Sequence, residues 1–326
     1  MPAAGAFGAQ RAALEGGLAA GLGLRPAPLP EGVPGVHRAA SAAGACSSHP
    51  PSSPSSRGGG PRGGAVVESL AFAGARTRLA RATVLEAPGL KALNCVVFPD
   101  PSLEAPLLGL DLVSVGRGRA LAGFDFHPLS ARPGHQVPWL PALRALREEF
   151  GSGAVPHSGN FYPEDAEFFS DGMLLLKASS PEALLDGLRA SEAFQRYLAL
   201  YSDVLRAAPE AEDPAELEEA QARYCQWQRE HDPAGKAFAS LFGEAWAQHY
   251  EDEFLFPFAK KEQRGVGGRA VGGGTGASGA EAGREAGLAA LKPFSGEMGI
   301  AADPSSGEPP PPVFDDIACG EGNDVL

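Results

Sequence analysis

Between Leu93 and Leu129 the chain sets single polar residues inside apolar runs, LNCVVFPDPSLEAPLLGLDLVSVGRGRALAGFDFHPL. Asn94 and Asp111 each interrupt such a run, and Asp125 stands between Phe124 and Phe126 just ahead of His127 and Pro128. A carboxylate on a covered sheet face costs several kcal/mol unless it is paired, hydrogen-bonded or protonated. Each aspartate is therefore either neutralised locally or kept for chemistry. A carboxylic acid that desolvation holds protonated near neutrality is a proton donor. Asp125 and His127 share a strand face only if no bulge intervenes, and Asp125 reads as mainly structural.

The elements that carry these residues follow from periodicity. Leu93 to Phe98, Leu107 to Val115 and Arg119 to Phe126 are strand-length apolar runs, the last two joined across a glycine-containing turn at 116–118. Val66 to Phe72 and Thr77 to Leu85 alternate as a further hairpin, and Met173 to Leu176 is another short strand. Trp139 to Phe150 has apolar residues at helical spacing, and Ser180-Pro181 opens a helix predicted to run to Ala207. Strands followed by helices predict an α/β fold, a three-layer α/β/α sandwich with a central antiparallel sheet.

Composition sets the limits of that fold. Residues 1–64 are dominated by Ala, Gly, Pro and Ser and carry five arginines against Glu15 and Glu31, which predicts a disordered leader. Such a leader resembles an organelle transit peptide. The apolar turn from Leu14 to Leu24 would also suit a secretory signal, but its glycines make a poor membrane span. Residues 263–326 are Gly-rich, then acidic and Pro-rich, and predict a disordered tail. One domain over 65–262 remains, large enough for a single core.

The net charge of −13 argues against nucleic acid. Cys46, Cys95, Cys225 and Cys319 are scattered without a C-x-x-C, so neither a disulfide framework nor a metal site follows. Dinucleotide fingerprint, phosphate loop and Ser-His-Asp arrangement are all missing. Any redox chemistry here must borrow its electrons.

Three motifs in register, Phe98-Pro99, then Pro106-x-x-Gly109-x-Asp111, then Asp125-x-x-Pro128, resemble the signature of the ferredoxin-dependent bilin reductases. The segment Ala222 to Pro257 is similar to the family's terminal part, with Asp232-Pro233, Phe242-Gly243-x-x-Trp246 and Phe254-Leu255-Phe256. The resemblance covers about Val66 to Pro257 and implies the same sandwich fold. It implies an enzyme with no cofactor of its own, taking single electrons from a reduced 2Fe-2S ferredoxin and reducing biliverdin or dihydrobiliverdin. A partner bilin reductase receiving the product and a plastid location belong to the same implication.

By this resemblance Asp111 and Asp232 are the catalytic proton donors, although an Asp-Pro pair read locally is a helix-ending turn. Asn94, Phe169, Ser170 and Lys177 are the expected substrate-binding residues, Lys177 for a propionate. Asn94 stands where the phycocyanobilin branch resembles a histidine, and an amide is no acid near neutrality, so that branch is disfavoured. Arg76, Arg78, Arg81 and Lys91 form the expected docking patch for acidic ferredoxin. The asparagine, the Asp-Phe-His-Pro form and the ending Glu253-Phe-Leu-Phe-Pro257 look most like reductases of the C15=C16 bridge. An A-ring reductase making phycoerythrobilin or phytochromobilin, and a non-catalytic bilin carrier, are the alternatives.

Overall fold

The computed structural model of the chain describes residues 7–39, 64–116, 118–130, 132–152, 154 and 167–259. The expected tail, 263–326, lies outside the described residues, as do 1–6 and 40–63. The principal strands run as β3 (Val66–Gly74), β4 (Thr77–Ala87), β5 (Leu90–Pro99), β6 (Leu107–Val115), β7 (Arg119–His127) and β8 (Leu174–Ala178), each antiparallel to the next. Two short strands, β1 (Arg25–Pro26) and β2 (Val36–Arg38), pair with β3 and complete an eight-stranded sheet.

Period-two alternation divides the sheet into two apolar faces. Leu93, Cys95 and Val97 join Leu108, Leu110, Leu112, Phe124 and Phe126 on one side. Helices α1 (Gly8–Leu22), α3 (Leu140–Phe150) and α4 (Ala190–Ala207) cover it with Leu14, Leu143, Phe194, Tyr197 and Tyr201. Val67, Leu85, Val96, Phe98 and Leu107 face the other side. Helices α5 (Pro214–His231), α6 (Ala234–Phe242) and α7 (Glu244–Tyr250) cover that face with Leu217, Tyr224, Phe238 and Tyr250. A short α2 (Pro133–Gln136) precedes α3. The molecule has helix layers on both sides of an antiparallel sheet, as the sequence predicts.

The leader expected over 1–64 requires correction for residues 7–39, which are part of the fold. Leu14 and Leu18 are fully buried, and Gln10 Nε2 donates to Ser191 Oγ of α4 at 3.0 Å. The glycines that made this stretch look unstructured let α1 approach α4. A Cβ on Gly17 would fall 2.3 Å from Leu198 Cδ2, and one on Gly21 would fall 2.7 Å from Ser202 Oγ. Low apolar bulk here means close helix packing.

The helix expected from Pro181 to Ala207 is interrupted. Ser180 Oγ accepts from the Ala183 amide at 3.1 Å as an N-cap, but a π-helical turn over Ala183–Gly187 follows, and Arg189 adopts φ 55° before α4 begins. Each piece buries its own face, with Leu184 and Ala190 both at 0% exposure. Apolar spacing alone does not reveal the change of register between them.

Candidate active site

Cross-strand pairing places Ser69, Thr83, Asn94, Asp111 and Gly123 in one transverse row, each the register partner of the next. Paired residues project to the same side of a sheet, so the row lies on the face covered by α5, α6 and α7. Tyr250 of α7 closes one end, its hydroxyl bonded to Ser69 Oγ at 3.1 Å and Thr83 Oγ1 at 3.0 Å. Toward the other end Asn94, Asp111, Val113, Leu121 and Gly123 all keep some exposed surface. That is the open floor of the site.

Asp111 is tied to the row through one oxygen. Asn94 Nδ2 donates to Asp111 Oδ1 at 2.6 Å, and Asp111 Oδ2 has no hydrogen-bond partner among the described residues. Desolvation is the largest influence on this carboxyl and, with the charge of Asp232, it outweighs Asn94 and Arg81, raising its pKa to about 6. Protein surrounds Asp111 on all sides but the exposed one, and a proton donor needs that placement.

Asp232 caps the C-terminus of α5, and its Oδ1 accepts from the Ala234 amide at 2.8 Å. Burial raises its pKa against that bond and against Arg81. Glu251, just after α7, is a functional candidate that sequence reasoning missed. Burial first, then the charges of Asp232 and Asp252, raise its pKa to about 7. Its carboxylate lies against Gly235, where a Cβ would fall 1.8 Å from Oε1. The only sequence-level signal for it is that glycine two residues after Pro233.

The third motif is a clasp. Asp125 accepts from Ser170 Oγ at 2.5 Å and from the Ser170 amide at 2.8 Å, while His127 Nδ1 donates to the Phe168 carbonyl at 2.8 Å. Those bonds fix the segment entering β8. Burial raises Asp125 to about 7 and lowers His127 to about 4, so the imidazole is neutral at physiological pH and no acid. Ser170 Oγ also accepts from the Gly172 amide at 3.1 Å. Ser170 is buried and engaged with Asp125, so its expected substrate contact is corrected to a structural role. Phe169 packs edge-on to His127 and Trp227, with ring centroids 5.3 and 5.7 Å away.

The first two motifs have equally local causes. Phe98 packs edge-on to Tyr224, and the Pro99 carbonyl accepts from Gln221 Nε2 at 2.9 Å, fixing α5 over the sheet. Gly109 is required because His127 lies on it, 2.3 Å from where a Cβ would be. Lys177 is exposed and pairs with Leu121, which pairs with Val113, so it shares the Asp111 face two strands away. That separation is about 10 Å.

The expected ferredoxin patch loses Arg81 to the interior, and Arg76 and Arg78 are half-buried. Arg76 donates to the carbonyls of Leu205 and Ala208, and Arg78 pairs with Glu218 at 2.9 Å. Arg81 is buried at 3% exposure and turned into the site, where its Nη1 donates to Asn94 Oδ1 at 2.5 Å. Strand alternation decides this, since Arg81 is the register partner of Val96 on the inner face. Only Lys91 of the four is solvent-exposed.

Among the described residues no cluster of His, Cys, Asp or Glu could hold a metal, and no helix is long and apolar enough to cross a membrane. An antiparallel sheet between helix layers carries half-buried Asp111 on its open face, with half-buried Asp232 close enough at the end of α5 to raise its pKa. The profile of the ferredoxin-dependent bilin reductases matches residues 50–257, and the chain belongs to that family. It is an oxidoreductase that uses ferredoxin as electron donor.

Within the family it is similar to the 15,16-dihydrobiliverdin:ferredoxin oxidoreductase of Nostoc punctiforme, 32% identical over 199 residues, 60% of this chain and 80% of that one. A Synechococcus enzyme of the same name is 31% identical over 244 residues, 72% of this chain and 91% of the relative. The phycoerythrobilin:ferredoxin oxidoreductase of Nostoc punctiforme is 30% identical over 205 residues, 60% of this chain and 77% of that one. The fold matches a crystal structure of phytochromobilin synthase from tomato in complex with biliverdin, with TM-score 0.60 and 20% identity over 78% of this chain and 83% of that one.

Proposed function

We propose that this enzyme reduces biliverdin IXα at the C15=C16 bridge to 15,16-dihydrobiliverdin. The observation that carries the reading is the Asn94–Asp111 pair on the open floor, a neutral amide beside a carboxyl whose pKa lies near 6. Similarity to relatives named for 15,16-dihydrobiliverdin supports the position of the bond.

The balance of the reaction is simple. Two reduced ferredoxins each give one electron, and two protons add to the former double bond, one hydrogen on C15 and one on C16. Asp111 and Asp232 are the proposed donors, and each is recharged from solvent. A protonated tetrapyrrole accepts an electron more readily than a neutral one, so an acid already poised on the pocket floor lowers the barrier to electron transfer. Asn94 donates to Asp111 and stabilises the carboxylate left after proton transfer. Phe169 offers an aromatic wall, and Lys177 a cation for a propionate.

The proposed setting is a plastid, with a partner bilin reductase as recipient of the product. With residues 7–39 built into the domain, the proposal of this location rests on the family resemblance rather than on those residues as a leader.

Anaerobic incubation of the full chain with biliverdin and a reducing ferredoxin system, followed by absorbance and chromatography, tests the reading. 15,16-Dihydrobiliverdin is the expected product. Phycoerythrobilin or phytochromobilin would replace it with the A-ring alternative, which similarity to a phycoerythrobilin:ferredoxin oxidoreductase also supports. Bilin binding without any spectral change on reduction would leave a carrier.

A further inference from the structure

We propose that Arg81 is a positioning residue that fixes the orientation of the Asn94 amide and thereby assigns the acidic proton of Asp111 to Oδ2, the oxygen left free in the site. The inference rests on Asp111 being the proton donor. A guanidinium has donors only, so an amide beside it must turn its oxygen toward it. Arg81 Nη1 meets Asn94 Oδ1 at 2.5 Å, and the amide nitrogen is then aimed at Asp111 Oδ1, 2.6 Å away. A proton on Oδ1 would oppose that N–H, so the acid carries it on Oδ2.

Beyond the Asn94 bond, the direct contact that offsets the burial of the arginine is the Phe256 ring, 5.9 Å from its guanidinium carbon. Arg81 is 3% exposed, its Nε has no partner, and no carboxylate lies within ion-pair distance among the described residues. A buried charge without a direct counterion costs several kcal/mol, and a hydrophobic residue of similar volume is often neutral or stabilising in its place. The charge is spent on its neighbours instead.

Around Asp111 stand Arg81 from β4, Cys95 from β5, Tyr224 from α5 and Asp232 at the end of α5. Asp125 and His127 lie on β7 and exposed Lys177 on β8. Arg81 is the cation that acts against burial and Asp232 on the Asp111 proton. It favours proton release, and Asn94 conveys its orientation.

The test uses the full chain and two readouts. Infrared difference spectra of the ligand-free protein identify the Asp111 carboxylic C=O band by its loss in Asp111→Asn, and pH titration of that band gives its midpoint. In Arg81→Met the midpoint is expected to rise by about one pH unit, and Arg81→Lys should return it toward wild type. Should the Met variant fail to fold, Arg81→Gln, polar and neutral, is expected to show the same rise. In turnover of biliverdin, Arg81→Met should lower kcat about tenfold with little change in KM. An unmoved midpoint in a folded neutral variant, or a lysine variant that behaves like the neutral one, overturns the inference. Full activity of Asp111→Asn would instead overturn the donor reading beneath it, whatever Arg81 does.

Discussion

The imidazole of His127 lies directly on Gly109, with Nε2 only 2.3 Å from the position a Cβ would occupy. The glycine two residues before Asp111 is therefore a packing requirement of the neighbouring strand. Gly109→Ala must push His127 off the Phe168 carbonyl it binds at 2.8 Å. A loss of about 1–3 kcal/mol in chemical denaturation is expected, together with weaker bilin binding as the Phe169 wall shifts. An alanine variant of wild-type stability would show that the ring moves at no cost.

Asp111 sets activity against stability. The folded protein holds its proton to about pH 6, whereas an unperturbed aspartate loses it near 3.8. Folding thus takes up a proton between those values, and this carboxyl's contribution to stability declines as pH rises through the window. Asp111→Asn removes the penalty. At pH 7 the variant is expected to be about 1–3 kcal/mol more stable than wild type while binding biliverdin without reducing it. Denaturation at pH 4 and pH 7 checks this, and equal stability of the two proteins at pH 7 would count against a raised carboxyl.

The same acid gives the reaction a pH dependence. A donor with its pKa near 6 in the ligand-free protein is mostly protonated below that value, so kcat/KM for biliverdin under saturating ferredoxin should fall as pH rises past about 6. A rate that is flat from pH 5 to 8 would remove Asp111 from the rate-determining protonation.

Ser170 holds Asp125 rather than substrate. Ser170→Ala deletes the 2.5 Å bond to Oδ1 and the acceptor of the Gly172 amide, and is expected to cost about 1–3 kcal/mol. Those bonds stabilise the carboxylate form, so without the hydroxyl the Asp125 pKa should rise above about 7. Carbon-detected NMR titration of labelled aspartate would report the shift, and a change confined to bilin affinity would restore the substrate-binding role.

The N-terminal segment is a structural part of the domain. Leu14 is fully buried against the α4 side of the sheet, and Leu14→Ala is expected to destabilise by about 2–5 kcal/mol. Deleting residues 1–39 should lower the Tm further, since it bares Leu198 and the outer edge of β3. A truncated protein with unchanged Tm would return this stretch to the status of a detachable leader.

The sequence by itself determined the strands from Val66 to His127, the hairpin order and the two-faced sheet, because side-chain alternation is a local property that any apolar core enforces. It also singled out Asn94 and Asp111 as polar residues that such strands do not need, and the structure makes them register partners. Only the tertiary structure decided which strand face each arginine takes, turning Arg81 from an expected docking residue into the partner of Asn94. It alone brought Asp232 toward Asp111, and Glu251 toward Asp232, from more than a hundred residues downstream of Asp111. The glycines of α1 were misjudged for a related reason. Composition counts what a residue could bury, but Gly17 and Gly21 act through the space they leave for Leu198 and Ser202, and that space exists only once α4 lies against them.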